Sequence, residues 1–199
     1  MPEPEPSAKR EMRHRLLDAG REVFARVGYS GATVDDIIES ASTSRASFYR
    51  YFSSKDDLFT ALSHACFRDM KGVIGDLGQI GERTDRVEHI GEILRRYRDV
   101  QARHAGVFRA WFERRSRSGT DLQLEASLTF ASFIDSLVGA ISNASVPSSV
   151  SVEVQAPLLY LLIDRSYFAV TSRWSRIDPD RLAPTLATMI DRAYFGGGL

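Results

Sequence analysis

Disulfides are out of reach for this chain. Its 199 residues include one cysteine, Cys66, so no internal bridge can form and stability must come from a buried core, as suits a reducing compartment. Lysine is nearly as scarce, with 3 against 23 arginines, a bias that reads as codon usage and carries little functional weight. There is no excess charge of either sign, because 26 basic residues balance 26 acidic ones. That balance argues against a protein that coats nucleic acid indiscriminately, although a sequence-specific binder needs only a local basic face. No apolar run approaches the length of a membrane span and no signal peptide is expected, so a cytoplasmic protein is predicted. Neither strand-like alternation nor an internal repeat stands out.

Catalytic signatures are equally sparse. His14, His64, His89 and His104 are scattered along the chain, and none belongs to an HExxH pair or a Cys/His cluster. His89 follows Glu88 and has Asp85 four residues before it, but an exposed helix face explains that grouping better than a metal does. No GxSxG, phosphate-binding loop or dinucleotide fingerprint occurs, and the closing Gly-Gly-Gly reads as a tail. The expectation is a protein that is not an enzyme and needs no metal or cofactor.

What the sequence does have is helical periodicity from end to end. Its apolar content of 43% is enough to bury a sizeable core. The Pro-rich start, residues 1–8, is predicted to be a disordered tail. A first helix is predicted from Lys9 to Val27, with Leu16, Leu17, Val23, Phe24 and Val27 inward and Gly28 as its stop. Its beginning carries Lys9, Arg10, Arg13 and Arg15. Those cations lie close to where a DNA backbone could run, and an ordinary solvated helix start explains them equally well.

The most informative stretch is TVDDIIESASTSRASFYRYFSSKDDL, residues 33–58. Thr33 followed three residues later by Asp36 is a capping-box-like pair. Val34, Ile37, Ile38 and Ala41 then recur at helical spacing. The pattern breaks at Ser42-Thr43-Ser44, and a second short helix follows from Arg45 to Tyr51 with Ser44 as its N-cap. Two short helices joined by such a turn form a helix-turn-helix, whose second helix enters the DNA major groove. Phe48 and Phe52, four apart, would pack that helix against the first. Arg45, Ser47, Tyr49 and Arg50 are left on other faces. Arg can make paired hydrogen bonds to guanine and Ser can donate or accept, while Tyr49, Tyr51 and Lys55 can contact phosphates. A helical hairpin that only packs remains the alternative reading of this spacing.

From Leu16 to Leu62 the chain resembles the DNA-binding domain of the tetracycline-repressor (TetR) family. The matching residues are Phe24, Gly28, Thr33 through Ala41, Ser44, Tyr49, Tyr51, Phe52, Lys55, Asp56 and Leu58. Ser42, Thr43 and Ala46 stand where the family usually has Gly, Val and Gly, all small replacements that bear on the fine position of the recognition helix. The resemblance implies a three-helix DNA-binding domain over residues 9–54, with Thr33, Tyr49 and Lys55 on phosphates and Ser44, Arg45, Ala46, Ser47, Arg50 and Tyr51 completing the DNA-binding set.

The remainder, residues 55–199, reads as a helical body. A long helix is predicted from Ser54, capped through Asp57, to Leu77. A loop follows near Gly78 to Thr84. Further helices are predicted over 85–103, 105–117, 121–144 and 152–175, with a turn at residues 146–149. The last helix starts at Asp178-Pro179, carries Leu182, Leu186, Met189, Ile190 and Ala193, and ends at Gly196. The predicted fold is all-α, about nine helices. Residues 152–175 are apolar nearly all round, and with the last helix they carry more than one small body can bury, which points to a homodimer; a thick monomer core is the alternative. The resemblance implies the same dimer, formed by the last two helices, on a palindromic operator. Phe67, Phe108, Trp111, Phe112, Phe130, Phe133, Tyr160 and Tyr167 are either core or the walls of an apolar effector pocket. Phe168 belongs with them, and Asp164-Arg165 in an apolar run would shape a pocket or, through Arg165, lie at the dimer seam. The resemblance favours a small-molecule pocket, and its composition suggests a lipophilic or aromatic effector. The reading is thus a transcriptional repressor released from DNA by a small molecule; a dimeric small-molecule-binding protein with degenerate DNA binding is the alternative.

Overall fold

A computed structural model of the protein describes residues 7–114, 121–144, 146, 150–171 and 178–196. Among these residues the fold is all-α, as expected. In chain order the helices are α1 (Ser7–Gly31), α2 (Val34–Ser40), α3 (Arg45–Tyr51), α4 (Lys55–Leu77), α5 (Arg86–Arg103), α6 (Ala105–Arg114), α7 (Asp121–Asn143), α8 (Val152–Thr171) and α9 (Pro179–Tyr194). A short 3-10 turn, Ile80–Glu82, lies in the glycine-containing stretch between α4 and α5. Most of the predicted turn at 146–149 and the predicted ends of the helices over 105–117 and 152–175 lie outside the described residues.

The chain forms two compact units. One comprises residues up to Arg68 together with Gln101–Leu124; the other comprises Asp69–Val100 and Glu125 onward. In the first unit, α1 buries Leu16, Leu17, Gly20, Val23 and Phe24. Gly28 interrupts the helix with φ 76 and ψ 168, a conformation that glycine adopts without a Cβ clash. The predicted stop is therefore a break, after which one more turn runs to Gly31. α6 lies along α1 in an extensive contact. That approach depends on Gly106, where an added Cβ would stand 2.7 Å from both Phe24 Cβ and Ala25 N.

In the second unit, Tyr97, Ile90 and Ile93 of α5, Phe133 and Leu137 of α7, Leu159 and Ile163 of α8, and Leu186 and Ile190 of α9 are buried. Arg86 Nε donates to Asp191 Oδ1 at 2.7 Å, pinning the start of α5 to the end of α9. α9 opens on Asp178, whose carboxylate accepts from the Asp180 N–H at 3.0 Å, with Pro179 in the first turn as predicted. Gly196, at φ 70, follows its end.

Three expectations need amending. Val27, expected inward on α1, is 41% exposed, and His89, expected on an exposed helix face, is buried, with its Nε2 3.2 Å from Asp76 O. By length and composition α7 could span a membrane, although no run was expected to approach that size. Four of its side chains, Phe133, Leu137, Ala140 and Ile141, are buried, and a core helix acquires the same composition. The apolar coverage of α8 is divided between a buried and an exposed face. Ala156, Leu159 and Ile163 face inward, while Val154, Leu158 and Leu161 are 50%, 53% and 49% exposed.

Candidate nucleic-acid interface

The first three helices are fixed by local chemistry. At the start of α2, the Thr33 N–H donates to Asp36 Oδ2 at 2.8 Å and the Asp36 N–H donates to Thr33 Oγ1 at 3.1 Å. This reciprocal box satisfies two donors that the helix itself leaves open. The Thr33 hydroxyl, which donates to Asp36 Oδ2 at 2.6 Å, and then the Thr33 N–H hold the Asp36 carboxyl below the usual carboxylate range. At α3, the Ser47 N–H donates to Ser44 Oγ at 3.1 Å, the predicted N-cap. Between the two helices Ser42 takes φ 49, a left-handed conformation that disfavours a side chain. The geometry accounts for the glycine usual at this point in the resemblance.

α3 separates a packing face from an outward face. Phe48 and Phe52 are buried, with their ring centroids 6.0 Å apart. Arg45, Ala46, Tyr49 and Arg50 are exposed, and Ser47 and Tyr51 are half-buried. Tyr49 stands edge-on against Phe48, with centroids 5.3 Å apart, so its ring direction is set by the packing face although half of its surface is exposed. Arg45 Nη2 donates to both carboxylate oxygens of Asp35 on α2, at 2.6 and 2.7 Å, and these bonds raise its already high pKa. Asp35 is a residue that sequence reading misses, since nothing in the spacing ties it to a position ten residues later.

Lys55 has a second duty. Its ammonium donates to Tyr29 O at 2.8 Å and Ala32 O at 2.7 Å and lies 4.4 Å from the centre of the Tyr29 ring. It therefore ties the start of α4 to the chain leaving α1, and a phosphate contact would have to share the same charge. Lys55→Met keeps the stem and removes the donor. The expected result is a loss of roughly 2–3 kcal/mol in unfolding free energy, from charge-assisted hydrogen bonds and carbonyls left without a donor. Chemical denaturation checks it; an unchanged midpoint with weaker DNA binding would make Lys55 a phosphate contact alone.

With this geometry in place, residues 16–62 match the family described as bacterial regulatory proteins, tetR family. This segment is similar to the DNA-binding domain of the TetR family. The repressor AcnR of Corynebacterium diphtheriae, also described as of the helix-turn-helix type, is 34% identical over 77 residues, which are 39% of this chain and 40% of AcnR. The chain thus matches well under half the length of this curated relative. Solved TetR-type structures extend the likeness in fold to nearly the whole chain. PfmR of Thermus thermophilus, a TetR family regulator, superposes with a TM-score of 0.69 at 15% identity, covering 89% of this chain and 97% of its own. The regulator FadR of Bacillus subtilis gives a TM-score of 0.62 at 16% identity, covering 94% and 99%.

Six of the expected pocket aromatics fall into two groups, one in each unit. In the first, Phe67 is fully buried and stacks on Trp111 at 5.0 Å, with Phe108 edge-on to Trp111 at 5.4 Å. In the second, Tyr160 meets Phe130 at 5.0 Å and Phe133 at 5.1 Å, and Phe133 meets Tyr97 at 5.7 Å. Tyr97 donates to Asp164 Oδ1 at 3.0 Å. Burial, with the Asp164 charge adding to it, pushes the Tyr160 phenol up to about 12 and Tyr97 well above the usual range. Asp164 turns inward, while Arg165, 3.2 Å away, points mostly to the outside. Phe112 and Tyr167 lie on α6 and α8, but their side chains fall outside the described residues. Sequence reading misses Tyr97, which its place on the stripe Ile90, Ile93, Leu94, Tyr97 could have signalled. Among the described residues no three His, Cys, Asp or Glu side chains gather as a metal set.

Proposed function

We propose that this protein is a transcriptional repressor that binds a palindromic operator as a homodimer and leaves it when a small, lipophilic or aromatic molecule binds. It is a regulator, not an enzyme. The observation that carries the reading is the division of α3: both phenylalanines are used for packing, and a row of hydrogen-bonding side chains faces outward. Arg45 and Ser47 are the base readers. Thr33, Ser44, Ala46, Tyr49, Arg50 and Tyr51 border the same surface, and Lys55 positions it from behind. Asp35 engages Arg45 through Nη2, so a paired contact to guanine must share or displace that ion pair.

The dimer is supported by Val154, Leu158 and Leu161 on α8 and by Met189 on α9, 57% exposed. An apolar face of this kind on the last two helices suits a two-fold contact with a second copy. Two-fold symmetry in turn sets two reading helices on two half-sites. For the effector, the group around Tyr160 is the better candidate. Phe130 keeps 49% of its surface exposed, whereas Phe67 in the other group is sealed and acts as core. Asp164 and Tyr97 would orient a polar end. The structure of FadR of Bacillus subtilis is a complex with stearoyl-CoA, which supports a lipophilic class without naming the molecule.

Selection of duplexes from a random pool by the full-length protein tests the reading. A palindromic consensus is expected, and recovery of unrelated sequences would overturn it. On the selected duplex, Arg45→Ala should cost roughly 1–3 kcal/mol and relax preference at one position per half-site. Equal loss on every sequence would make Arg45 a phosphate contact instead. Stearoyl-CoA is a first probe for the effector. If it acts, its affinity must fall in the presence of operator by the factor by which it weakens operator binding.

A further inference from the structure

We propose that Lys9, Arg10 and Arg13 form a phosphate-binding strip that extends the DNA footprint beyond the helix-turn-helix. The proposal rests on the DNA-binding reading above. The inward stripe of α1 runs through Leu16, Gly20, Val23 and Phe24. Continued toward the start of the helix at the same spacing, it reaches Arg13 and then Lys9. The stripe that is apolar where α1 meets the core thus becomes basic over its first turns. Arg10 flanks it and is exposed.

Two features tie this basic segment to the reading surface. The Arg13 guanidinium lies over the ring of Phe52 at 5.4 Å from its centre, and Phe52 is the residue that closes α3. Arg13 therefore stands beside the end of the reading helix, and Lys9 and Arg10 lie one turn earlier on α1. The first turn of α1 also holds no acidic residue, although acids are favoured and cations disfavoured at that end of a helix. A segment arranged against its own helix dipole gains from a polyanion, and phosphates flanking the groove entered by α3 supply one. Arg15 lies on a different face, away from the stripe, and provides an internal control.

The test is the salt dependence of binding, measured with the full-length protein on a duplex selected as above. Each phosphate neutralised by a side chain contributes about 0.9 to the slope of log K against log salt. The double variant Lys9→Gln, Arg10→Gln should make the slope shallower by about two units and leave the selected consensus unchanged. Arg13→Gln should remove about one more unit, and Arg15→Gln should change nothing. Circular dichroism confirms that each variant is folded. An unchanged slope in the double variant, or an equal change from Arg15→Gln, would overturn the strip while leaving sequence-specific binding intact. Failure of the unaltered protein to select any duplex would instead overturn the DNA-binding reading.

Discussion

Aspartate at both Leu158 and Leu161 is expected to yield a folded monomer that has lost most of its operator affinity. Both side chains are about half exposed on α8 within a single chain, so the new charges enter no core of their own subunit. In a dimer they would face each other across a dry contact, where unpaired carboxylates are costly. Losing the second reading head removes the gain from linked binding, about 10²- to 10⁴-fold. Sedimentation velocity should give a monomer with native helicity, and operator titration should give the affinity loss. A dimer that persists would place the contact elsewhere on the chain.

Gly106→Ala is expected to destabilise the first unit although helix propensity predicts the opposite. In the interior of a helix, Ala is preferred to Gly by about 1 kcal/mol. Here the added Cβ would meet backbone atoms of Phe24 and Ala25 at 2.7–2.8 Å. Backbone cannot turn aside as a side-chain tip can, so α6 must back away from α1. Overpacking of this kind costs about 1–3 kcal/mol or more, and Gly106→Val should cost still more. Chemical unfolding supplies the sign. A stabilised alanine variant would mean that the two helices do not lie as close as the structure places them.

The contrast between the capping box and Gly106 explains what could be read from sequence. Thr33 with Asp36, Ser44 with Ser47 and Ser54 with Asp57 are bonded within three residues, so composition and spacing specify them. The limits of α3 and the division between Phe48 and Tyr49 follow from the same local periodicity. Lys55 is different. Its carbonyl partners are 23 and 26 residues away, and no periodic pattern links a lysine to a distant helix end. The aromatic residues were legible as apolar but not as two groups, because which rings meet depends on how helices pair. Helical spacing gave α8 its wide apolar surface, whereas the split into buried Leu159 and exposed Leu158 required its neighbours to be in place.

The first unit is discontinuous in the chain, with residues up to Arg68 and again from Gln101. That ordering bears on synthesis. When the reading helices have left the ribosome, the side of α1 that receives Gly106 is still uncovered, and it stays so until α6 has been made. At about 5–20 residues per second the wait is a matter of seconds. A cut after α4 begins would part α1 from α6, which packs against it. A recombination event at that point would carry away the recognition helix but leave its covering helix behind.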